Sequence, residues 1–153
     1  MSKSTRFTDY FLSHREVTNE LTAKIDKDYY NYKPTPSSME AQKLVIHIYE
    51  TAYMFARMAN GQEPNKLFTA EDTSSLTEQA ETYTEQTLQL IHALSDDDFN
   101  NKVDVSKIFG RELTVSELLH TAVDHEIHHK GNLFVYVREM GHTDLPIYVK
   151  LSK

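Results

Sequence analysis

Glu117–Gly141, ELLHTAVDHEIHHKGNLFVYVREMG, is the stretch whose reading decides the fold. Leu118, Ala122, His125, His129, Leu133 and Met140 follow one another at helical spacing. At about 100° per residue these positions stay within one sector of a long helix, the sector expected to face a core. His125 and His129 interrupt the apolar stripe one turn apart, so both imidazoles share a face. Histidines on the inner face of a bundle need partners for their ring nitrogens. A lone core histidine ordinarily finds one in the backbone. A same-face pair can instead share a divalent metal ion, which then requires a third ligand. His120 lies on the opposite face and His128 at the stripe's edge, so both are expected at the surface.

Upstream of this helix, Thr114 and Glu117 form the capping box that starts it. The run SDDDFNNKVDVSKIFGRELT before it is acidic and turn-rich. Short alternating pieces around Val103, Val105 and Ile108 predict a small hairpin about Gly110, and Asp96, Asp97 and Asp98 read as a solvated turn. A third helix opens at the Ser75 and Glu78 capping box and carries Leu76, Ala80, Tyr83, Thr87, Leu90, Ile91 and Leu94 inward, with His92 outside the stripe. A second helix runs to Asn60, with Gly61 as its stop and Ser37 with Glu40 as its expected capping box. Leu44, His47, Ile48, Thr51, Phe55 and Met58 form its inner face. His47, set among apolar neighbours, is the candidate for the third ligand.

The first helix spans about Thr5 to Lys27, with Phe7, Phe11, His14, Thr18, Leu21 and Ile25 inward. His14 is expected to be a packing residue. Pro34 and Pro36 end the segment that follows. Between the second and third helices, GQEPNKLFTAEDTS is longer than antiparallel neighbours require, and could cross to a non-adjacent or parallel helix. After Gly141, the tail HTDLPIYVKLSK cannot continue helically past Pro146 and is expected to pack as an extended apolar strand.

Four amphipathic helices, each apolar on one face, have one economical solution: an all-α four-helix bundle. At 153 residues the chain is sized for a single domain with its own core. It has 39% hydrophobic residues and no apolar run of membrane-spanning length, so no membrane association is expected. Its N-terminus, MSKSTRFTDYF, lacks the apolar core of a signal peptide, which makes the cytoplasm the expected location. The absence of cysteine excludes disulfides, thiolate ligands and a cysteine nucleophile, leaving His, Asp or Glu to hold a metal. A net charge of −7 and a pI near 5.6 argue against nucleic acid as a partner. Three neutral imidazoles from His47, His125 and His129 would leave a fourth position open on a zinc-like ion, the arrangement of catalytic rather than structural sites.

His125, Glu126 and His129 also spell H-E-x-x-H, the zinc-protease motif whose glutamate is the general base. The extended third-ligand pattern is missing, since Gly131 comes one position early and residue 135 is valine, and no sheet is expected to bind a peptide. The match is read as a coincidence and Glu126 as a surface residue beside the stripe. Glu50, one turn beyond His47, could orient an imidazole, although a glutamate there is ordinarily solvated. Tyr49 and Tyr53, with Tyr29, Tyr30 and Tyr32, could line a substrate mouth, but aromatics at helix spacing are ordinarily core.

The chain resembles the DinB-like family of metal-binding helical bundles, also called the YfiT-like or damage-inducible DinB group, unrelated to the DNA polymerase that shares the name. The resemblance runs through PTPSSM, KLVIHIYE and LLHTAVDHEIHHKGNLFVYVREMG. In the last, a histidine is followed one turn later by a second, directly before a basic residue, a glycine and an amide: here His125, His129, Lys130, Gly131 and Asn132. Lys130 stands where arginine is commoner and Asn132 where glutamine is. The resemblance maps the family's histidine triad onto His47, His125 and His129, and implies a long crossover between the second and third helices, a homodimer, and a bound zinc, nickel or other divalent ion. Characterised relatives attach small thiols such as bacillithiol or mycothiol to electrophiles, or isomerise maleylpyruvate with a thiol. It therefore implies an S-transferase or hydrolase acting on a small-molecule substrate, with a small thiol as co-substrate. The alternative is a non-catalytic, metal-stabilised bundle acting as a dimeric, stress-related interaction protein.

Overall fold

The computed structural model describes residues 1–152. Its long helices are α1 (Lys3–Ala23), α2 (Ala41–Ala59), α3 (Leu76–His92) and α5 (Val115–Glu139), the last being the fourth helix of the sequence reading. A single helical turn, α4 (Ser106–Phe109), sits between two short strands, β1 (Lys102–Asp104) and β2 (Glu112–Thr114). The expected all-α bundle is the fold.

Each long helix packs on two neighbours: α2 lies against α3 and α5, and α1 completes the ring against the same two. Asn60, capping the end of α2, donates to the Leu90 carbonyl, and Tyr53 meets Tyr83 farther up, so α2 and α3 run parallel. On its other side α2 is antiparallel to α5, since the Tyr136 hydroxyl donates to the Met39 carbonyl while Phe55 packs near Leu118. Parallel neighbours must be joined by a chain that travels back along the bundle. A helix as long as α2 spans roughly 28 Å at about 1.5 Å per residue, and the 61–74 connection is long enough to return that distance. This is the crossover expected from its length.

The capping boxes at Ser75 with Glu78 and at Thr114 with Glu117 both form. The one expected at Ser37 with Glu40 does not: Glu40 is the N-cap and makes no side-chain bond. Backbone replaces it, because the Tyr32 and Tyr30 carbonyls accept the first two amides of α2, from Ala41 and Gln42. Ser38 is used instead in a turn with Thr35. Gly61, at φ 71°, ends α2 as expected, in a left-handed conformation that side chains disfavour. The first helix stops at Ala23 rather than Lys27, where Lys24 and Ile25 turn their amides to carbonyls three residues back.

The hairpin pairs Val103 with Leu113 and turns through Gly110, although Val105 and Ile108 belong to its connection and not to strands. Beyond Gly141 the tail is extended but forms no strand. It is tied by its backbone, with the Lys150 amide donating to the Ser13 carbonyl at 2.8 Å, while Ile147, Tyr148 and Leu151 remain exposed. No described helix is long and apolar enough to cross a membrane.

Candidate metal centre

Antiparallel packing of α2 on α5 sets position 47 opposite positions 125 and 129. The three rings stand edge to face, with centroids 4.6 Å apart for His47 and His125, 4.9 Å for His47 and His129, and 4.5 Å for His125 and His129. The Nε2 atoms of His47 and His125 are 2.9 Å apart. One ring nitrogen from each residue lies within 4.8 Å of the others, and among the described residues this is the one His, Asp and Glu group of three or more so arranged. The structure thus brings together the three residues singled out in the sequence.

Desolvation dominates the electrostatics of the group. It lowers the His47 pKa, and together with the neighbouring imidazoles it pushes His125 and His129 down to about 4. All three rings are therefore neutral near pH 7, the form in which imidazole ligates. Two of their nitrogens, His125 Nδ1 and His129 Nδ1, are buried with no hydrogen-bond partner. A neutral imidazole has one donor and one acceptor, so three rings turned on one another cannot satisfy each other fully. A tetrahedral zinc-like ion separates its nitrogen ligands by roughly 3.4 Å given bonds of about 2.0–2.1 Å. The His47 to His125 nitrogen spacing, 2.9 Å, is about half an ångström short of that value, and the other pairs lie within 4.8 Å. Donor type, neutrality and proximity fit a divalent cation.

The histidines are half-buried at the margin of the α5 core stripe. The buried centre of that stripe is shifted by one residue and runs through Leu119, Val123, Glu126, Lys130, Leu133 and Val137. Glu126, expected at the surface, is 1% exposed. Its carboxylate accepts from Arg15 Nη2 at 2.6 Å, from Arg15 Nε, and from the Thr18 hydroxyl at 2.8 Å. Arg15, itself 0% exposed, is flanked by the Phe11 and Tyr49 rings. The pair is not, as a pair, among the residues singled out from the sequence for their chemistry. Its signal was there: Arg15 lies four residues after Phe11 and three before Thr18, and Glu126 four after Ala122. Opposite charges on two inner stripes are expected to find each other. With both oxygens held by α1, Glu126 is not placed as a general base beside the histidines, which removes the basis for the protease reading.

Lys130, in the sequence the basic residue of the family motif, is buried as well. It is 2% exposed, with Nζ 2.7 Å from His14 Nδ1 and donating to the Tyr148 carbonyl of the tail. His14 is accordingly a packing residue, as expected, and outside the histidine group. Glu50 pairs with Lys66 at 3.6 Å and makes no hydrogen bond to His47, whose basicity it raises through charge alone. Tyr49 and Tyr53 are core residues, His92, His120 and His128 are exposed, and Asp96–Asp98 fall in a solvated turn.

The sequence model of the DinB family matches residues 1–153. An uncharacterised Bacillus subtilis (strain 168) protein, YjoA, is 46% identical over 150 residues, covering 97% of each chain. The crystal structure of YjoA, a DinB-like protein, superposes with a TM-score of 0.84 at 44% identity, covering 95% of this chain and 99% of that one. A DinB-like protein from Bacillus cereus superposes with a TM-score of 0.76 over 93% of this chain and 95% of its own; at 18% identity it shows the shared fold.

Proposed function

The chain belongs to the DinB family, and from that premise we propose that His47, His125 and His129 hold one divalent ion, zinc or nickel, at a catalytic site. The observation that carries the proposal is the convergence of three neutral imidazoles from two helices, two of them with a buried ring nitrogen that lacks a partner. When bound, such an ion brings a small thiol or water toward its nucleophilic anion near neutral pH. The chain's own part is to hold the ring directions in a half-buried setting. His125 and His129 are set by the regular turn of α5, and His47 by α2, whose Thr51 hydroxyl donates to the His47 carbonyl. The chain has no thiol, and among the described residues no carboxylate joins the donor set, which leaves room for an exogenous reactant. The reaction class this favours is S-transfer from a small thiol to an electrophile, with hydrolysis as the counterpart if water takes that place. We further propose a cytoplasmic homodimer.

The test is metal content of freshly purified protein beside His47→Ala and His125→Ala/His129→Ala variants, followed by thiol conjugation to a generic electrophile. One ion per chain, lost in both variants, with conjugation that depends on it, is the expected result. Native-affinity stoichiometric metal in His47→Ala would refute the ligand set. Metal binding without conjugation or hydrolysis would leave the stabilised, non-catalytic dimer.

A further inference from the structure

A cavity of about 740 Å³ lies between α2, the start of α3 and the crossover. Its volume is within the range of small-molecule sites, about 300–1,000 Å³. Tyr30 and Phe68 supply half-buried aromatic surface in its wall, and Gln79 a buried amide. Three lysines, Lys27, Lys43 and Lys66, stand along it in a chain whose net charge is −7. Two carboxylates share the wall, one paired with Lys66 and one held by neutral donors, so the lining keeps a single net positive charge. Glu50 faces Lys66 at 3.6 Å, and Asp72 accepts from the Thr69 amide at 2.6 Å and from its hydroxyl. Lys43 has only an exposed contact with Glu40 at 3.6 Å, and among the described residues Lys27 makes no ion pair. The cavity therefore offers positive charge beside aromatic surface.

Its position matters as much as its lining. Lys43, Ile46 and Glu50 precede or follow His47 by four, one and three residues on α2. Lys43 and Glu50, at offsets of four and three, lie about 5–6 Å from His47 along one face, and Ile46 is its neighbour in the chain. The cavity thus begins within one helical turn of a histidine of the candidate centre, on the same half-exposed strip of α2.

We infer that this cavity binds the body of the small-molecule reactant: a carboxylate-bearing molecule with an aromatic or apolar portion, its anionic group at Lys27 and Lys43 and its reactive end directed past Ile46 to His47. What the reactive end meets rests on the metal reading above; the preference for an anion does not. Benzoate and neutral benzamide are the first probes, titrated by NMR into the full chain as purified and after chelation. Benzoate is expected to shift Tyr30, Phe68 and Gln79 and to bind at least about ten-fold more tightly than benzamide. Lys27→Glu/Lys43→Glu alters two exposed side chains and is expected to erase that preference. Equal binding of the two probes, a preference that survives the double variant, or shifts that map elsewhere would overturn the inference.

Thiosalicylate added to cobalt-loaded protein then reads the reach, through thiolate-to-cobalt absorption whose apparent affinity falls about ten-fold in the double variant; an unchanged affinity overturns it. The two readings fail separately. Benzoate preference in a chain that takes up no cobalt sinks the metal assignment alone, and cobalt uptake without benzoate preference sinks the cavity alone.

Discussion

Arg15→Ala is expected to be among the most damaging single substitutions in this chain, because it strands a carboxylate in the core. Arg15 and Glu126 are 0% and 1% exposed, and the guanidinium meets the carboxylate through three contacts between 2.6 and 3.1 Å. It also packs 4.6 Å from the centroids of both Phe11 and Tyr49. Without it, Glu126 keeps only the Thr18 hydroxyl. Removing one partner of a buried pair costs about 3–5 kcal/mol, far more than the pair's net worth, because the remaining charge is desolvated and uncompensated. For a chain of this length each kcal/mol moves the thermal midpoint by about 2–4 °C, so a fall of roughly 6–20 °C is expected. Replacing both charges, as in Arg15→Met/Glu126→Leu, removes the stranded ion and should recover much of that loss. Urea and thermal unfolding followed by circular dichroism measure all the variants. A loss below about 1 kcal/mol for Arg15→Ala, the range of an exposed pair, or a double variant less stable than either single one, would refute the reasoning.

The depressed histidines give a pH dependence of definite sign. Free imidazole titrates near 6.5, whereas His125 and His129 sit at about 4 in the fold. As pH falls through that window the unfolded chain binds protons first, so the metal-free protein should hold its stability above about pH 6.5 and lose it toward about pH 4. His125→Asn/His129→Asn should flatten that slope in thermal unfolding. Lys130→Met keeps the packing but removes the donor to the Tyr148 carbonyl. It should speed hydrogen exchange of the Lys150 amide, which bonds to Ser13, with little change in the α5 amides. Thr114→Ala removes the side chain that accepts the Glu117 amide and should cost about 1 kcal/mol in chemical denaturation.

Much of the bundle could be read along the chain. The stripes of α1, α2, α3 and α5 repeat at helical spacing, and Gly61 and the Ser75 and Thr114 boxes punctuate them by local chemistry. Local signals fail where a group has a choice of partners. Ser37 and Glu40 are spaced for a capping box, but the Tyr30 and Tyr32 carbonyls reach the α2 amides instead. The apolar tail residues suggested a strand, yet the tail has no strand partner and is held by backbone and Lys130 contacts. The candidate site was legible for an allied reason: i and i+4 histidines share a face in any helix, and His47 stood out as a histidine among apolar neighbours.

From the sequence alone follow the periodicity of the helices, the absence of thiols, the acidic balance and the shared face of His125 and His129, because each depends only on local geometry or composition. Tertiary packing decided the rest. Only the antiparallel docking of α2 on α5 sets His47 against the pair, and only the docking of α1 turns Glu126 from an expected surface residue into one half of a buried ion pair. Such contacts join residues 78 and 111 positions apart. Burial follows from what covers a face, and that is settled only when the helices meet.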